Sequence, residues 1–288
     1  MKSRADSRAL AICGLIGYPL GHSVSPAMHN AAFESLGLEY VYAPFNVKGE
    51  DLHRAIEGVR ALGIRGLNVT IPHKEAVLPL LDELDPLAEK IGAVNTLVNN
   101  KGILKGYNTD AGGFLKTLLE RKIELEGKKV VVLGAGGASR AISHTLAERG
   151  ADLVILNRSL ERAVKLAGSI FDNTGEKVST LELNEGNLAR AIFGADILVN
   201  TTNIGITPRT DETLVPSELL KPGILVNDIV YNPIKTRLLL DAEAAGARII
   251  PGIEMLAWQG ALSFEMWTGQ KAPVEVMRGV AIRGLESR

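Results

Sequence analysis

Val130-Val131-Val132-Leu133-Gly134-Ala135-Gly136-Gly137-Ala138-Ser139-Arg140 is the stretch whose reading decides the fold. Four apolar residues, three of them β-branched, read as a buried strand that runs straight into a glycine loop, and a helix is predicted from Ala138 to Arg149. Glycines at such a junction let the backbone approach a pyrophosphate at a helix N-terminus. In this context Gly134, Ala135, Gly136, Gly137 and Ala138 point to a dinucleotide site rather than a structural turn. Ser139 stands where the general pattern has its third glycine, which weakens the match slightly.

Toward the C-terminus, the next strand, Leu153 to Leu156, ends in Asn157-Arg158-Ser159. A preference for NAD usually places a carboxylate there for the ribose 2′-hydroxyl, whereas a 2′-phosphate needs a cation. Arg158 supplies a planar guanidinium and Arg162, one turn along the next helix, a second charge, so the sequence favours NADP. Glu161 is the opposing charge nearby, and a solvated Glu161–Arg162 surface is the alternative. Further strands are expected at Lys177–Thr180, Ile197–Asn200, Ile224–Ile229 and Arg248–Ile250, with helices near Glu185–Phe193 and Thr236–Ala245. Six strands complete a Rossmann-type sheet. Two strand ends carry notable loops, Asn200 to Gly205 and Asp228 to Pro233, and ligands of such sheets bind at the carboxyl ends of strands. After Pro251-Gly252 a long amphipathic helix runs to about Trp267, with Gln259 its odd polar member, and a final helix follows Pro273.

Toward the N-terminus the texture changes around Glu124 to Lys129, and an earlier unit begins with a strand at Ala11–Ile16. The loop Gly17 to Pro26 leads into a helix for which Ser25 is the expected N-cap and Pro26 the first helical residue. Ser23 and Ser25 beside a helix N-terminus suit a small anion such as a carboxylate, and equally suit simple capping. A strand at Tyr40–Phe45, a helix at Glu50–Leu62 and a short buried strand at Gly66–Val69 continue the alternation, which predicts a largely parallel, open α/β sheet. That strand passes through Thr70 to Pro72 and Lys74, delivering both side chains at an expected strand-to-helix junction, although a surface lysine in the next helix's first turn reads as well from Pro-x-Lys alone. A short helix at Pro86–Ile91 precedes a hairpin, Ala93–Val98 with Ile103–Tyr107, turned by Asn99 to Gly102. Asn95 and Asp110 lie at its outer ends, and Asp110 also suits a cap for the helix Ala111 to Arg121.

The bulk properties bound the function. The 288 residues suffice for about two domains, and 32 basic against 33 acidic side chains leave no field to draw in nucleic acid or an anionic membrane. Cys13 is the lone cysteine, so neither an intramolecular disulfide nor a multi-cysteine metal site is possible, which suits a reducing cytoplasm. Lys2, Arg4 and Arg8 before the apolar run Ala9 to Gly17 resemble a signal peptide superficially, but the run is short and no small-x-small site follows. The five histidines show no ligand spacing, His22 and His29 included, so no metal site is expected.

Taken together, these motifs resemble the shikimate dehydrogenase family over almost the whole chain. Gly17-x-Pro19-x-x-His22-Ser23-x-Ser25-Pro26-x-x-His29-Asn30 is similar to that family's substrate loop, and Asn68-Val69-Thr70-Ile71-Pro72-His73-Lys74 to its catalytic strand. Ala93-Val94-Asn95-Thr96, Gly106-Tyr107-Asn108-Thr109-Asp110, the glycine loop, Asn157-Arg158-Ser159, Tyr231-Asn232-Pro233 and Gln259 continue the pattern. The resemblance implies a substrate domain over residues 1–111, completed by the C-terminal helices of 251–288, and a Rossmann-type NADP-binding domain over 112–250, with a deep cleft between them. It implies that Ser23 and Ser25 hold the substrate carboxylate and that Asn68, Thr70, Asn95, Tyr231 and Gln259 surround the ring. Lys74 and Asp110 resemble the family's catalytic pair, which also touches substrate. Asn157, Arg158, Ser159, Arg162 and Thr201 join the glycine loop at NADP, and Ile229 and Gly252 match the nicotinamide end. The implied activity is reduction of 3-dehydroshikimate by NADPH in aromatic biosynthesis, by a cytoplasmic monomer or homodimer. A quinate/shikimate dehydrogenase using NAD and a non-catalytic NADP-binding regulator are the rival readings. Ser159 for threonine, expected to keep a hydroxyl cap, Thr201 and Asn203 for alanine and serine, and Glu254 for glycine depart from the pattern; Glu254 adds negative charge if it points inward and starts a helix well if outward.

Overall fold

The structure, a computed structural model, describes residues 10–21 and 23–287. Lys2, Arg4, Arg8 and Ala9 of the N-terminal stretch and His22 of the serine loop lie outside the described residues. The chain forms two compact units, one running to Asp85 with Val94–Tyr107 and Gly260–Ser287, the other made of Pro86–Ala93 with Asn108–Gln259.

The first unit is built on the strands β1 (Ala11–Gly17), β2 (Tyr40–Asn46), β3 (Gly66–Val69), β4 (Glu83–Leu84), β5 (Thr96–Asn100) and β6 (Ile103–Tyr107), in the order β2-β1-β3-β5-β6-β4. β1 pairs in parallel with β2 and β3, but β5 runs antiparallel to both β3 and β6, so the sheet is mixed rather than largely parallel. The cause is local. Lys101 and Gly102 both have positive φ, 54° and 92°, the two-residue turn that joins only antiparallel neighbours. Helices α1 (Ser25–Ser35) and α2 (Leu52–Ala61) follow β1 and β2. Cys13 is buried in β1, and burial pushes its thiol up to about 12, which makes it inert.

The second unit opens with α3 (Pro86–Ile91) and α4 (Thr109–Glu120) and continues as an alternation: β7 (Lys129–Leu133), α5 (Gly137–Glu148), β8 (Asp152–Asn157), α6 (Leu160–Thr174), β9 (Ser179–Glu182), α7 (Glu185–Ile192), β10 (Ile197–Asn200), β11 (Leu225–Asp228), α8 (Arg237–Ala244) and β12 (Arg248–Ile250). The order β12-β11-β10-β7-β8-β9, parallel throughout, is the Rossmann arrangement. Side chains alternate faces along each strand. Val130, Val132, Leu153 and Ile155 therefore pack on Ile142, Leu146, Leu166 and Ile170, while Val131, Leu133, Leu156 and Leu198 pack on Leu188, Ile192, Leu238 and Leu239. Covering both faces is what makes Val130 to Leu133 read as an unbroken apolar run.

The unit edges depart from single cuts at 111/112 and 250/251. Ile91 and Ala93 form a buried cluster with Ala111 and Ala141, so α3 and the start of α4 are held by the second unit's helices. The long helix α9 (Gly252–Thr268) is shared, residues 252–259 in the second unit and 260–268 in the first. Its Met255 lies in the second unit's core, while Phe264 stacks on Phe33 in the first, beside α10 (Val274–Glu286). Among the described residues no helix is long and apolar enough to cross a membrane, and no His/Cys/Asp/Glu cluster could hold a metal.

Candidate functional site

In the first unit, polar side chains collect where β1, β3 and β5 give way to loops. Thr70 follows β3 and its N–H donates to the Ile16 carbonyl at 2.9 Å, while the Tyr18 N–H donates to the Ile71 carbonyl at 3.0 Å. The exits of β1 and β3 are thereby tied together. Lys74 is half-buried and lies in a turn, not on a helix: residues 74–77 are turn and only a short 3-10 segment, Leu78–Leu80, follows. Its carbonyl accepts the Val94 N–H at 2.8 Å, and the Asn95 carbonyl accepts that of Val69 at 2.8 Å, which brings Lys74, Asn95 and the end of β3 into one bonded patch.

Ser25 proves to be the first residue of α1, with Val24 at the N-cap and no side-chain cap there. The Ser25 N–H donates instead to Ser23 Oγ at 3.3 Å. Both hydroxyls thus sit at the positive end of α1, where a carboxylate is favoured.

Asn68 is buried in a network that the sequence reading did not anticipate. Its Oδ1 accepts the Tyr42 hydroxyl at 2.8 Å, and its Nδ2 donates to Thr96 Oγ1 at 3.1 Å, Ser263 Oγ at 2.9 Å and the Asn95 carbonyl at 3.3 Å. The amide hydrogens of Asn68 are therefore spent on protein acceptors, and what remains for a ligand is a lone pair on Oδ1. Ser263 was hidden in an apolar helix pattern and Tyr42 in an apolar strand; an isolated hydroxyl on a core face is the signal each left.

In the second unit Asp110 is buried in the first turn of α4, where the helix dipole favours a carboxylate. It is not the cap. Asn108 takes that place, its Oδ1 accepting the Ala111 N–H at 3.3 Å and its Nδ2 donating to the Ala93 carbonyl at 2.8 Å. Gln259 on α9 is partly buried, its Nε2 donating to the Leu256 carbonyl at 2.9 Å. Tyr231 is partly buried in the loop after β11. Glu254 pairs with Arg121 at 3.4 Å, so its charge is directed to the end of α4.

The glycine loop fits a dinucleotide. Gly134 has φ +109°, and a side chain there would press on Thr201 Oγ1. The Ser139 hydroxyl, buried, donates to the Gly134 carbonyl at 2.7 Å, so the residue at the third-glycine position locks the loop. A Cβ on Gly136 at the N-cap of α5 would meet no protein atom within 4 Å, which leaves room for a phosphate between Ala135 and the helix through Gly137 and Ala138. At the end of β8 the Asn157 Nδ2 donates to the Ser159 carbonyl at 2.8 Å. Ser159 occupies the N-cap of α6 without a side-chain capping bond, contrary to the expected hydroxyl cap. Arg158 and Arg162 are exposed, and Arg158 lines a groove of about 400 Å³ with Leu183, Asn184, Glu185 and Leu214. Thr201 commits its hydroxyl to the Leu133 carbonyl at 2.6 Å. Ile229 donates its N–H to the Asn200 carbonyl at 3.1 Å, and a side chain on Gly252 would collide with the Ile229 carbonyl.

Three family models match the chain: the shikimate dehydrogenase substrate binding domain over residues 15–97, shikimate / quinate 5-dehydrogenase over 117–217 and the shikimate 5′-dehydrogenase C-terminal domain over 252–282. The shikimate dehydrogenase (NADP(+)) of Methanopyrus kandleri is 51% identical over 277 residues, covering 95% of this chain and 96% of that one. A crystal structure of a shikimate dehydrogenase in complex with NADP+ superimposes with a TM-score of 0.90 at 42% identity, covering 96% of each chain. The Thermus thermophilus shikimate 5-dehydrogenase in complex with NADP(H) and shikimate gives 0.85 at 40% identity, covering 96% of this chain and all (100%) of that one. Similar in sequence and in fold over nearly its whole length, the chain belongs to the shikimate dehydrogenase family of NADP-dependent oxidoreductases.

Proposed function

We propose that the chain reduces 3-dehydroshikimate to shikimate, reversibly, with Lys74 and Asp110 as its catalytic side chains. The carrying observation is the patch at the exits of β1 and β3. The Lys74 backbone is tied there to the segment of Asn95 and the end of β3, the buried Asn68 amide network joins β3 to β5, and the loop leaving β1 carries Ser23 and Ser25 at the N-terminus of α1, groups that suit a polyhydroxylated ring acid. Bound NADPH supplies the hydride. As negative charge grows on the ketone oxygen, the Lys74 ammonium stabilises it and gives up a proton, and Asp110 orients the lysine and hydrogen-bonds the same oxygen. Ser23 and Ser25 hold the substrate carboxylate, while Thr70, Asn95, Tyr231 and Gln259 bond ring hydroxyls and Asn68 braces them. Gly134 to Ala138 cradle the pyrophosphate, Asn157, Arg158, Ser159 and Arg162 take the adenosine 2′-phosphate, and Ile229 and Gly252 face the nicotinamide with Thr201 behind. The enzyme acts in the cytoplasm as a monomer or homodimer on a small-molecule substrate, without nucleic acid.

The test is reduced-nicotinamide absorbance with shikimate and quinate crossed against NADP+ and NAD+. Turnover is expected with shikimate and NADP+, and Lys74→Ala should lower kcat by about two to four orders of magnitude with far less effect on the shikimate KM. Near-normal kcat in Lys74→Ala overturns the catalytic assignment. Equal turnover with quinate or NAD+ overturns the specificity.

A further inference from the structure

Asp228 ends β11, and its carboxylate is fully buried although the proposed mechanism gives it no part. Its donors are all neutral. Thr236 Oγ1 donates to Oδ2 at 2.6 Å, and both Asn200 Nδ2 and the Val230 N–H donate to Oδ1, at 2.9 and 3.0 Å. Each partner belongs to a different segment. Thr236 caps α8, its Oγ1 accepting the Leu239 N–H, and Val230 lies in the loop that leaves β11. Asn200 ends β10, and its Oδ1 accepts the N–H and hydroxyl of Thr202 at 3.1 and 2.7 Å, while its carbonyl accepts the Ile229 N–H. One carboxylate therefore fixes the loops leaving two adjacent parallel strands, at the carboxyl ends where ligands of such sheets bind.

We propose that Asp228 is a positioning residue for hydride transfer, holding the loops after β10 and β11 so that Ile229 and Tyr231 present the nicotinamide and the substrate to each other. The proposal rests on the reading of Ile229 as a nicotinamide neighbour and Tyr231 as a substrate neighbour. The contact of Gly252 with the Ile229 carbonyl carries the constraint further, because any drift of the loop displaces the start of α9. An acceptor is required for chemical reasons. An apolar side chain would strand the Asn200 amide and the Val230 N–H, two buried donors facing one point. Burial pushes the Asp228 carboxyl up to about 6, so at neutral pH the group is still mainly anionic and accepts from all three donors.

The experiment compares the full chain with Asp228→Asn, Asp228→Ala and Ile229→Ala. Steady-state kinetics with shikimate and NADP+ are measured alongside the Kd of adenosine 2′,5′-bisphosphate, which carries the 2′-phosphate end and no nicotinamide. Asp228→Ala should lower kcat by about ten- to a hundredfold, the scale of an ångström-level misplacement, and leave the bisphosphate Kd within about twofold of wild type. Asp228→Asn, which keeps one carbonyl acceptor for Val230 and Asn200, should fall between Ala and wild type, and it carries the test alone if the alanine variant does not fold. Unchanged kcat, or a parallel loss of bisphosphate binding that marks a sheet-wide structural role, overturns the proposal. If Ile229→Ala leaves kcat and the NADP+ KM intact, the nicotinamide reading is what fails, and the proposal falls with it; if Ile229→Ala impairs both while the Asp228 variants do not, only the role of Asp228 fails.

Discussion

In the proposed reading, Arg158 is the side chain on which the choice between two cofactors chiefly turns, with Arg162 a second charge beside it. It is exposed at the end of β8, and no carboxylate shares the tripeptide Asn157-Arg158-Ser159. Glu185 lines the same groove and is a charge that a 2′-phosphate bound there would have to tolerate. Hydrogen bonds to a charged partner contribute about 1.5–3 kcal/mol, so Arg158→Ala should raise the NADP+ KM by about ten- to a hundredfold and change the NAD+ KM little. Equal loss with both cofactors in steady-state assays contradicts the assignment. Asn108 and Asp110 show the limit of residue-level reading, since both are sound helix caps by type and only the backbone decides which of them accepts the Ala111 N–H.

At the scale of elements, α4 and α9 form a pair that sets Asp110 and Gln259 in register. Gly113, one turn after Asp110, abuts the Gln259 backbone, where an added Cβ would lie 2.7 Å from its amide nitrogen. The far end of the pair is tied by Trp258 Nε1 donating to Glu120 Oε2 at 2.8 Å and by Arg121 with Glu254. Gly113→Ala gains about 1 kcal/mol of helix propensity but overpacks a close backbone contact at about 1–3 kcal/mol, so stability should fall, by up to about 2 kcal/mol. The displaced Gln259 should raise the shikimate KM several-fold, about 1 kcal/mol of lost binding, while the NADP+ KM holds. Measuring both KM values decides it, and an unchanged shikimate KM removes the register role. The turn at Lys74 belongs to this scale too: β3 ends at Val69, ahead of Pro72, and residues 74–77 are turn rather than helix, so the Lys74 backbone is held by pairing to Val94.

Across the whole molecule, buried titratable groups set the response to acid. Burial pushes His29 down to about 3, and burial with the Arg140 and Lys90 charges pushes His144 down to about 4, from an ordinary 6.5. Folded-state values below the unfolded one mean that their contribution is complete above pH 6.5 and is lost as pH falls through that value toward 4, by up to about 1.4 kcal/mol per pH unit for each. Asp228 acts in the opposite sense. Its raised value lets the folded state take up a proton below about 6, so stability is regained from there toward 3.8. Two losses against one gain leave a net fall on acidification. His29, stacked on Tyr42 at 4.3 Å, should accept Phe, and His29→Phe should flatten the fall of the thermal midpoint between pH 7 and about 4.5. Parallel curves for the two proteins exclude the assignment.

The second unit's fold was legible because each of its signals is local. The run Val130 to Leu133, the glycine loop and the basic strand end each sit within a few residues of their neighbours, and two-sided burial writes itself as continuous apolar sequence. Ser23, Ser25, Lys74 and Arg158 stand out as site candidates for the same reason. The hairpin of β5 and β6 was legible in its turn residues, but tertiary structure alone decided that β5 pairs antiparallel with β3, that α3 joins the second unit and that α9 is shared between the two. It alone revealed the Asn68 and Asp228 networks, whose members Tyr42, Thr96 and Ser263, or Asn200, Thr202 and Thr236, are ordinary polar residues scattered along the chain. A hydrogen bond between residues 195 positions apart leaves no periodicity to read, because its partners are chosen by packing and not by spacing.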